Sequence, residues 1–505
     1  MVTYTSKAAS VCLTCKARKK GCDKSLPRCR SCVDRNLVCR YRSATLSPTH
    51  RSVPNSHADQ SHRRSAIELP ARDRTSAPTH NLASSPPHPH LLKAVPARAI
   101  DPTLCGQAQE ILQATGLYLD EISVRYFQGI HTFVPIVSRR RFHARLLSFG
   151  ADPQPDFALL LLCMGLLTHW VDSPDHSNPQ RNLRAEDKAH YVATKSLLAQ
   201  AQALCAPTTH LIQAGVLLAV YEYAHGHPEQ AFVTIGSCAR MAYAAQLRSQ
   251  PSPTSAAHPQ TDRIAAEEEI STWWGIRICE RTFLCELAIL EQPLGSVMPS
   301  SEVVLPLEPS VLDQGAPAAA AASRPAIQAL SEAPQVGGFG RAAQAAWLLD
   351  RVLQGLSITD PARKRAHLAD CDRTLQSFLG IVMRQHGGDW RVFCGAIALT
   401  IRALFLLHRH LLDQRASDSP DDYTPADGSQ STLHTITKMV IDIAATHEYL
   451  TISQIDHLPP SCVYIMREAS RHIHNSGSAT PDPQLHRSLK QFEARWRPWA
   501  PPLAW

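Results

Sequence analysis

The sequence has little of what a secreted, membrane-bound or catalytic protein needs. Residues Met1 to Ser10 are polar and hold no apolar signal-peptide core, so an oxidising compartment is not expected. Its uninterrupted apolar run, Phe157 to Leu167, is eleven residues long, short of the roughly 20 that cross a bilayer. That run predicts a buried helix in a soluble chain with no membrane partner. No P-loop or nucleophile elbow occurs, and order and spacing assemble no catalytic triad. Gly338-Phe-Gly340-Arg-Ala-Ala343 fits G-x-G-x-x-A loosely, but Pro334 to Val336 is no proper strand and no βαβ pattern surrounds it. Among the 25 histidines, His408/His410 and His472/His474 are two apart and so on different sides of a helix. An enzyme is not expected.

What is present is concentrated at one end. The stretch Cys12 to Cys39 reads C-x2-C-x6-C twice, each cysteine of the first copy (Cys12, Cys15, Cys22) recurring seventeen positions later (Cys29, Cys32, Cys39). Six thiolates serve two tetrahedral zinc ions only if two sulfurs are shared between the metals. The symmetry of the repeat places the shared pair at equivalent positions, and Cys12 with Cys29 is the natural candidate. A disulfide framework, a four-cysteine zinc site with two spare thiols, and an iron-sulfur cluster with two idle ligands are the alternatives. The remaining nine cysteines are scattered singly and read as reduced, mostly buried thiols of an intracellular protein.

Charge gathers around the same stretch. Residues 1–42 hold eleven Lys or Arg against two Asp, and residues 43–98 seven against three, so the rest of the chain must be acidic although the whole carries +7. Two divalent zincs on six thiolates leave the first 42 residues at about +7. A concentrated basic end on a mildly acidic body favours phosphate. Only the first copy has a cationic spacer: Lys16, Ala17, Arg18, Lys19, Lys20 and Gly21 against Val33, Asp34, Arg35, Asn36, Leu37 and Val38. Good helix formers begin it and Gly21 can end it, which would let its side chains enter a major groove and donate to guanine O6 and N7. Lys24, Arg28 and Arg30 would then meet phosphates, and Leu26-Pro27 would turn one copy back on the other.

With every cysteine in register and a proline before the fourth, Cys12 to Cys39 resembles the fungal zinc binuclear cluster DNA-binding domain. The resemblance implies two zinc ions bridged by Cys12 and Cys29, with Cys15 and Cys22 completing one and Cys32 and Cys39 the other. It also implies that Lys19, helped by Arg18, sits where the family's base-contacting lysine sits, on a CGG triplet of double-stranded DNA.

Residues 43–98 contain nine Ser, eight Pro and six His but no Phe, Tyr, Trp or Gly, which predicts a disordered linker over 43–100. No heptad follows the cluster, so any homodimer would form through the C-terminal body. From about Ile100 the chain reads as helical: Leu119, Ile122, Tyr126 and Ile130 recur at helical spacing, and Ser138 precedes a second short pattern. Later helices read Leu211 to Ala224, Ala231 to Gln246, Glu268 to Leu290, Ala342 to Leu356, Val392 to Leu412 and Ser431 to Leu450. Loops fall near 249–262, 307–338, 416–430 and 475–484. Strand signals are almost absent. The expected fold class is therefore a small irregular metal-stabilised domain with two short helices (12–42, after a flexible 1–11), a linker, a large all-α domain (101–470) and a tail (471–505).

A second resemblance lies in Tyr118 to Leu147, Gln213 to Met241 with Tyr221-Glu222-Tyr223, and Glu267 to Pro306 with Thr272-Trp273-Trp274. These look like the fungal-specific transcription factor region found behind such clusters, an all-α regulatory body. Trp273 and Trp274 read as core aromatics, and the runs Arg139–Arg141 and Arg363–Arg365 as solvated helix faces. Asp413, Asp418, Asp421, Asp422 and Asp427 around Tyr423, or Trp496, Trp499, Leu503 and Trp505, are candidate coactivator contacts. Lys16 to Lys20 would also serve nuclear import.

The resulting expectation is a nuclear, zinc-dependent transcription factor of RNA polymerase II genes that contacts the transcription machinery or coactivators. A pathway-specific activator, controlling a clustered set of biosynthetic genes, is what the resemblance extends to. A repressor, or a zinc- or redox-responsive interaction protein that does not read DNA, are the alternatives. Lys19→Ala is expected to leave zinc content intact and reduce preference for the specific DNA site by about 1–3 kcal/mol, measured by competition binding against scrambled DNA.

Overall fold

The structure is a computed structural model describing residues 11–12, 15–16, 21–25, 29–35, 97–116, 118–169, 179–250, 260–315, 323–385, 390–417, 427–477, 480 and 482–496. The chain divides into two compact units, Met1–His88 and Pro89–Trp505. Most of the expected linker, to residue 96, lies outside the described residues, and helix already begins at Ala97. The first unit carries α1 (Arg30–Val33).

The second unit is helical, as the scarcity of strand signals predicts. Its elements are α2 (Ala97–Thr115), α3 (Leu119–Gln128), α4 (Arg139–Phe149), α5 (Pro155–Thr168), α6 (Pro179–Leu204), α7 (Thr209–Ala224), α8 (Pro228–Ala244) and α9 (Gln260–Leu284). After the short α10 (Pro309–Asp313) come α11 (Gly338–Leu356), α12 (Pro361–Gln385), α13 (Cys394–Ser417) and α14 (Asp427–His447). A turn, α15 (Ile452–Ile455), leads to α16 (Ser461–Asn475) and α17 (Pro483–Trp496). Among the described residues of this unit the one extended pairing is an isolated antiparallel bridge between Val304 and Ala326.

Three helices organise this unit because they are apolar on nearly every side. Pro155 opens α5 with its preset φ, and from Phe157 to Thr168 every residue is buried. Thr208 caps α7 by accepting the Leu211 N–H at 3.2 Å, and Leu211 to Tyr223 are all buried. Around this pair pack α2, α3, α6, α8 and α9. By length and composition alone residues 391–414 could cross a membrane, but 72% of their most apolar window is buried. The helix at this position, α13, packs against α11, α12, α14 and α16, and α9 meets α11 to join the two groups of helices.

Ion pairs reinforce that junction. Arg281 on α9 is 1% exposed; its guanidinium donates to Asp350 of α11 at 2.9 Å, to Glu280 at 2.9 Å and to the Ser296 carbonyl at 2.9 Å. Just beyond α9, Glu286 accepts from Arg402 of α13 at 2.9 Å. Burial pushes the Glu286 carboxyl upward, with the Arg402 charge opposing. Glu222, fully buried on α7, receives the Tyr191 hydroxyl at 2.7 Å, the Thr234 hydroxyl at 2.6 Å and the Lys195 ammonium at 2.5 Å. Breaking such pairs from one side leaves an uncompensated buried charge.

Several expectations need adjustment. The helix read as Glu268 to Leu290 spans Gln260–Leu284 and closes through shorter-range bonds, Glu286 N–H to the Phe283 carbonyl at 3.1 Å among them. Arg139 to Arg141 do not form a merely solvated face: Arg141 pairs with buried Glu268, and Arg139 lies 5.1 Å over the Phe127 ring. Arg363 and Arg365 are exposed, and Trp273 and Trp274 are core, as expected. The segment read as a tail from 471 holds the end of α16 and all of α17, whose Leu485, Phe492 and Trp496 are buried. Burial removes Trp496 as an exposed coactivator contact. Trp499, Leu503, Trp505, Asp418, Asp421, Asp422 and Tyr423 lie outside the described residues.

Arg281→Ala is expected to cost about 3–5 kcal/mol because it strands Glu280 and Asp350 in the interior. The effect would appear as a lower urea midpoint for loss of far-UV helical signal.

Candidate metal centre and nucleic-acid interface

The described part of the first unit is built on sulfur. Cys12, Cys15, Cys29 and Cys32 are each at most 3% exposed, and their sulfurs lie within 4.8 Å of one another. Cys12 Sγ is 3.7 Å from Cys29 Sγ and 3.8 Å from Cys32 Sγ, while Cys15 Sγ is 3.6 Å from Cys29 Sγ and 3.8 Å from Cys32 Sγ. Zinc–sulfur bonds of about 2.3 Å in a tetrahedron put sulfurs about 3.8 Å apart, so the four separations fit a zinc ion. Cys22 stands beside Cys29 with Asp23.

The backbone repeats with the sequence. Lys16 N–H donates to the Cys12 carbonyl at 3.0 Å, and seventeen residues on, Val33 N–H donates to the Cys29 carbonyl at 3.1 Å. Each copy therefore winds one helical turn around its first cysteine. The link between copies is pinned by Asp23, which accepts the Ser25 hydroxyl and, at 2.9 Å, the N–H of Arg30, the first residue of α1. These hydrogen bonds, that from Ser25 foremost, hold the Asp23 carboxyl below its ordinary range. Lys24 takes a left-handed φ of 62° to make the turn. Sequence reasoning missed this role of Asp23, although an aspartate two residues before a serine at a turn is the signal for it.

Burial pushes the Cys12 thiol up to about 12 and the Cys29 thiol higher. At Cys22 burial acts in the same sense, but hydrogen bonds from the backbone and from the Cys12 and Cys29 thiols outweigh it and bring the group down to about 7. A divalent cation overrides these positions, since coordinated thiols ionise outright. The donor set therefore suits a thiophilic cation.

Of the residues expected to meet DNA, Lys16 and Arg30 are exposed and Lys24 is half-buried. Arg18, Lys19, Lys20 and Arg28 lie outside the described residues, as does the sixth cysteine, Cys39. Among the described residues, only groups containing these cysteines bring together three or more metal-binding side chains. His408 instead bonds Asp372 at 3.1 Å and Ser429 at 3.2 Å. The glycine-rich turn at 338–343 opens α11 with its N–H groups already engaged: the Glu308 carboxylate accepts from Phe339 at 3.3 Å and Gly340 at 2.8 Å. A Cβ at Gly338 would lie 2.1 Å from the Val392 carbonyl oxygen. Close packing, not a nucleotide, accounts for that glycine.

A sulfur-lined metal centre with the exposed basic residues Lys16 and Arg30 beside it, on a chain whose other unit is helical, is the arrangement of a metal-dependent DNA-binding regulator. Comparison with known proteins gives the class its family. Residues 10–47 match the fungal Zn(2)-Cys(6) binuclear cluster domain and residues 124–286 the fungal specific transcription factor domain. Transcription factor BOA15 of Botryotinia fuckeliana is 34% identical over 135 residues, 27% of this chain and 70% of that protein. The tropolone cluster transcription factor tropK of Talaromyces stipitatus is 21% identical over 306 residues, 52% of this chain and 53% of its own length. The citrinin biosynthesis transcriptional activator mrl3 of Monascus ruber is 22% identical over 310 residues, covering 53% of this chain and 58% of its own. Beyond BOA15, then, the chain spans little more than half of these relatives. No solved structure matches it significantly. The chain belongs to the fungal Zn(2)-Cys(6) transcription factors, a zinc- and DNA-binding family and not a family of enzymes.

Because the described metal-binding groups all lie in the first unit, chelation by EDTA is expected to abolish DNA binding while leaving the far-UV helical signal essentially unchanged. Mobility shift and circular dichroism on the same sample check both halves of that expectation.

Proposed function

We propose that this protein is a pathway-specific transcriptional activator whose two-zinc cluster reads CGG-type triplets in promoters of a biosynthetic gene cluster. The observation that carries the reading is the position of Cys12 and Cys29. Cys12 neighbours Cys15, Cys22, Cys29 and Cys32, and Cys29 likewise meets each of the others. A sulfur shared by two metals must occupy such a central place. In the proposed centre these two bridge, Cys15 and Cys22 complete one zinc, and Cys32 and Cys39 the other. Cys15 and Cys32 stand 3.8 Å apart in the structure, and division of the ligands between two metals assigns them to different ions.

In this reading residues 12–42 form the DNA-reading module, with Lys19 and Arg18 toward bases and Lys16, Lys20, Lys24, Arg28 and Arg30 toward the groove and backbone phosphates. Residues 43–96 are the linker and the helical unit, from Ala97, is the regulatory body, through which a homodimer would form. The protein acts in the nucleus, with the basic cluster segment as import signal, and recruits coactivators. Support for the pathway comes from relatives whose names specify tropolone, asperfuranone and citrinin regulation.

Cys29→Ala is expected to release both zincs, whereas Cys22→Ala releases one, as read by metal analysis of the purified proteins; loss of a single zinc from Cys29→Ala would refute the bridge. Genome-wide occupancy of the tagged full chain, with Cys12→Ala as control, tests the function. Cysteine-dependent peaks on neighbouring biosynthetic promoters carrying CGG, with transcript levels that fall on deletion, are the expected result. A well-expressed nuclear protein without such peaks would overturn it.

A further inference from the structure

Between α12 and α14, above α13, lies a groove that the packing of the body leaves open. Both flanking helices pack extensively on α13 but not on each other to a comparable extent. One chamber, of about 320 Å3, has a floor of Cys394, Ile397, Ala398, Cys462 and Ile465, all buried. Its mouth carries Asp442 and Thr446, both exposed. A second chamber, of about 440 Å3, runs on toward Leu404 and is rimmed by Gln376, Ser431, Thr432 and Thr435. Met383 and Met439 line both, so two flexible thioethers stand where the chambers meet.

We propose that this groove binds a small, uncharged, largely apolar molecule that carries hydrogen-bonding groups at its ends. Each chamber falls in the range of about 300–1,000 Å3 typical of small-molecule sites, which are mostly apolar with a few polar groups to fix orientation. The charge pattern narrows the class. Neither chamber is lined by Lys, Arg or His among the described residues, so a phosphate or carboxylate ligand would be desolvated there without a counter-ion. Hydroxyl and amide side chains at one end, and Asp442 with Thr446 at the other, meet neutral polar substituents. The methionines suit a ligand of irregular outline because unbranched thioethers repack readily. From Cys394 to Leu404 the floor advances ten residues, roughly 15 Å along a helix. That is the length of two or three linked rings. It is short for a protein partner, whose interface ordinarily takes about 20–30 residues a side.

The test uses the zinc-loaded full chain and the neutral fluorophore N-phenyl-1-naphthylamine, whose emission rises in apolar sites. A single saturable site is expected, with affinity reduced at least tenfold by Met439→Trp, which fills the junction, and by Ile443→Arg, which puts a charge on the lining. Leu147→Ser, at an exposed position elsewhere, should bind as wild type. Bound probe should also slow modification of Cys394 and Cys462 by N-phenylmaleimide, read by peptide mass spectrometry. Should Met439→Trp fail to fold, Ile443→Arg carries the test, since that side chain is only partly buried. Unchanged affinity in a folded groove variant, or no binding by the wild-type chain, overturns the proposal. So does a wild-type dimer that Met439→Trp dissociates without any probe site, which would make the groove an interface between copies. Probe binding that appears only after removal of residues 497–505 would assign the groove to the chain's own end.

Discussion

Four sulfurs gathered in one buried cluster demand a cation, and that demand shapes the whole first unit. Its described buried residues are cysteines alone: Cys12, Cys15, Cys29 and Cys32 form the cluster, with Cys22 packed against it. A segment of about 40 residues cannot remove enough apolar surface from water to fold by itself, while structural zinc supplies roughly 10–16 kcal/mol in small domains. Metal therefore replaces the apolar core, and the residues between ligands are released from any duty inside it. Eleven Lys and Arg can crowd into 42 residues because none has to be buried and because the thiolates offset part of their mutual repulsion. Fold and DNA affinity are thus both served by the same sulfurs, which explains why bases and ligands alternate along the chain.

The second unit rests on the opposite arrangement. Apolar helices α5 and α7 hold one group together and α13 the other, and the two groups meet through ion pairs set at the junction. Arg281 joins α9 to α11 through the buried carboxylates of Glu280 and Asp350, and Arg402 joins the end of α9 to α13 through the half-buried Glu286. Such pairs contribute less net stability than apolar residues of the same volume would, but they penalise any other register by leaving charges unpaired. Buried Glu222, with three donors around it, does the same for α6, α7 and α8.

How much of this could be read in advance follows from the physics of each signal. Metal ligation is legible because it requires one residue type at fixed spacing, so Cys12 to Cys39 announce themselves. Buried helices are legible too: Phe157 to Leu167 and Leu211 to Ala224 lie within α5 and α7 as expected. Half-buried helices with many charges are harder. In α12 the stripe Leu368, Cys371, Leu375, Phe378, Leu379 and Val382 is regular, but charged residues between its members mask it. Helix α17 was hidden for the same reason and because the prolines that follow it suggested a tail. Ion partners over 50 residues apart, Arg281 with Asp350 or Arg324 with Glu267, have no local signal at all. The exposed look of Arg139–Arg141 misled for that reason: composition shows the charge of Arg141 but not buried Glu268, 127 residues away.

The charged groups of the helical unit are largely engaged by partners within the chain. Its glycine-rich turn, the feature most like an anion site, is closed by Glu308, whose carboxyl burial pushes upward while the N–H groups of Gly340 and Phe339 pull the other way. A phosphate entering there would have to displace a tethered carboxylate and clear Val392. Arg281 and Arg402 are likewise engaged by carboxylates of the chain, so neither offers an anion a vacant cation. The packing does leave open the groove over α13, where the described lining offers thioethers, aliphatic carbons, hydroxyls, an amide and one carboxylate. Since α13 also carries Arg402 to the end of α9, a neutral molecule seated in that groove would bear on the very helix that ties the two groups together.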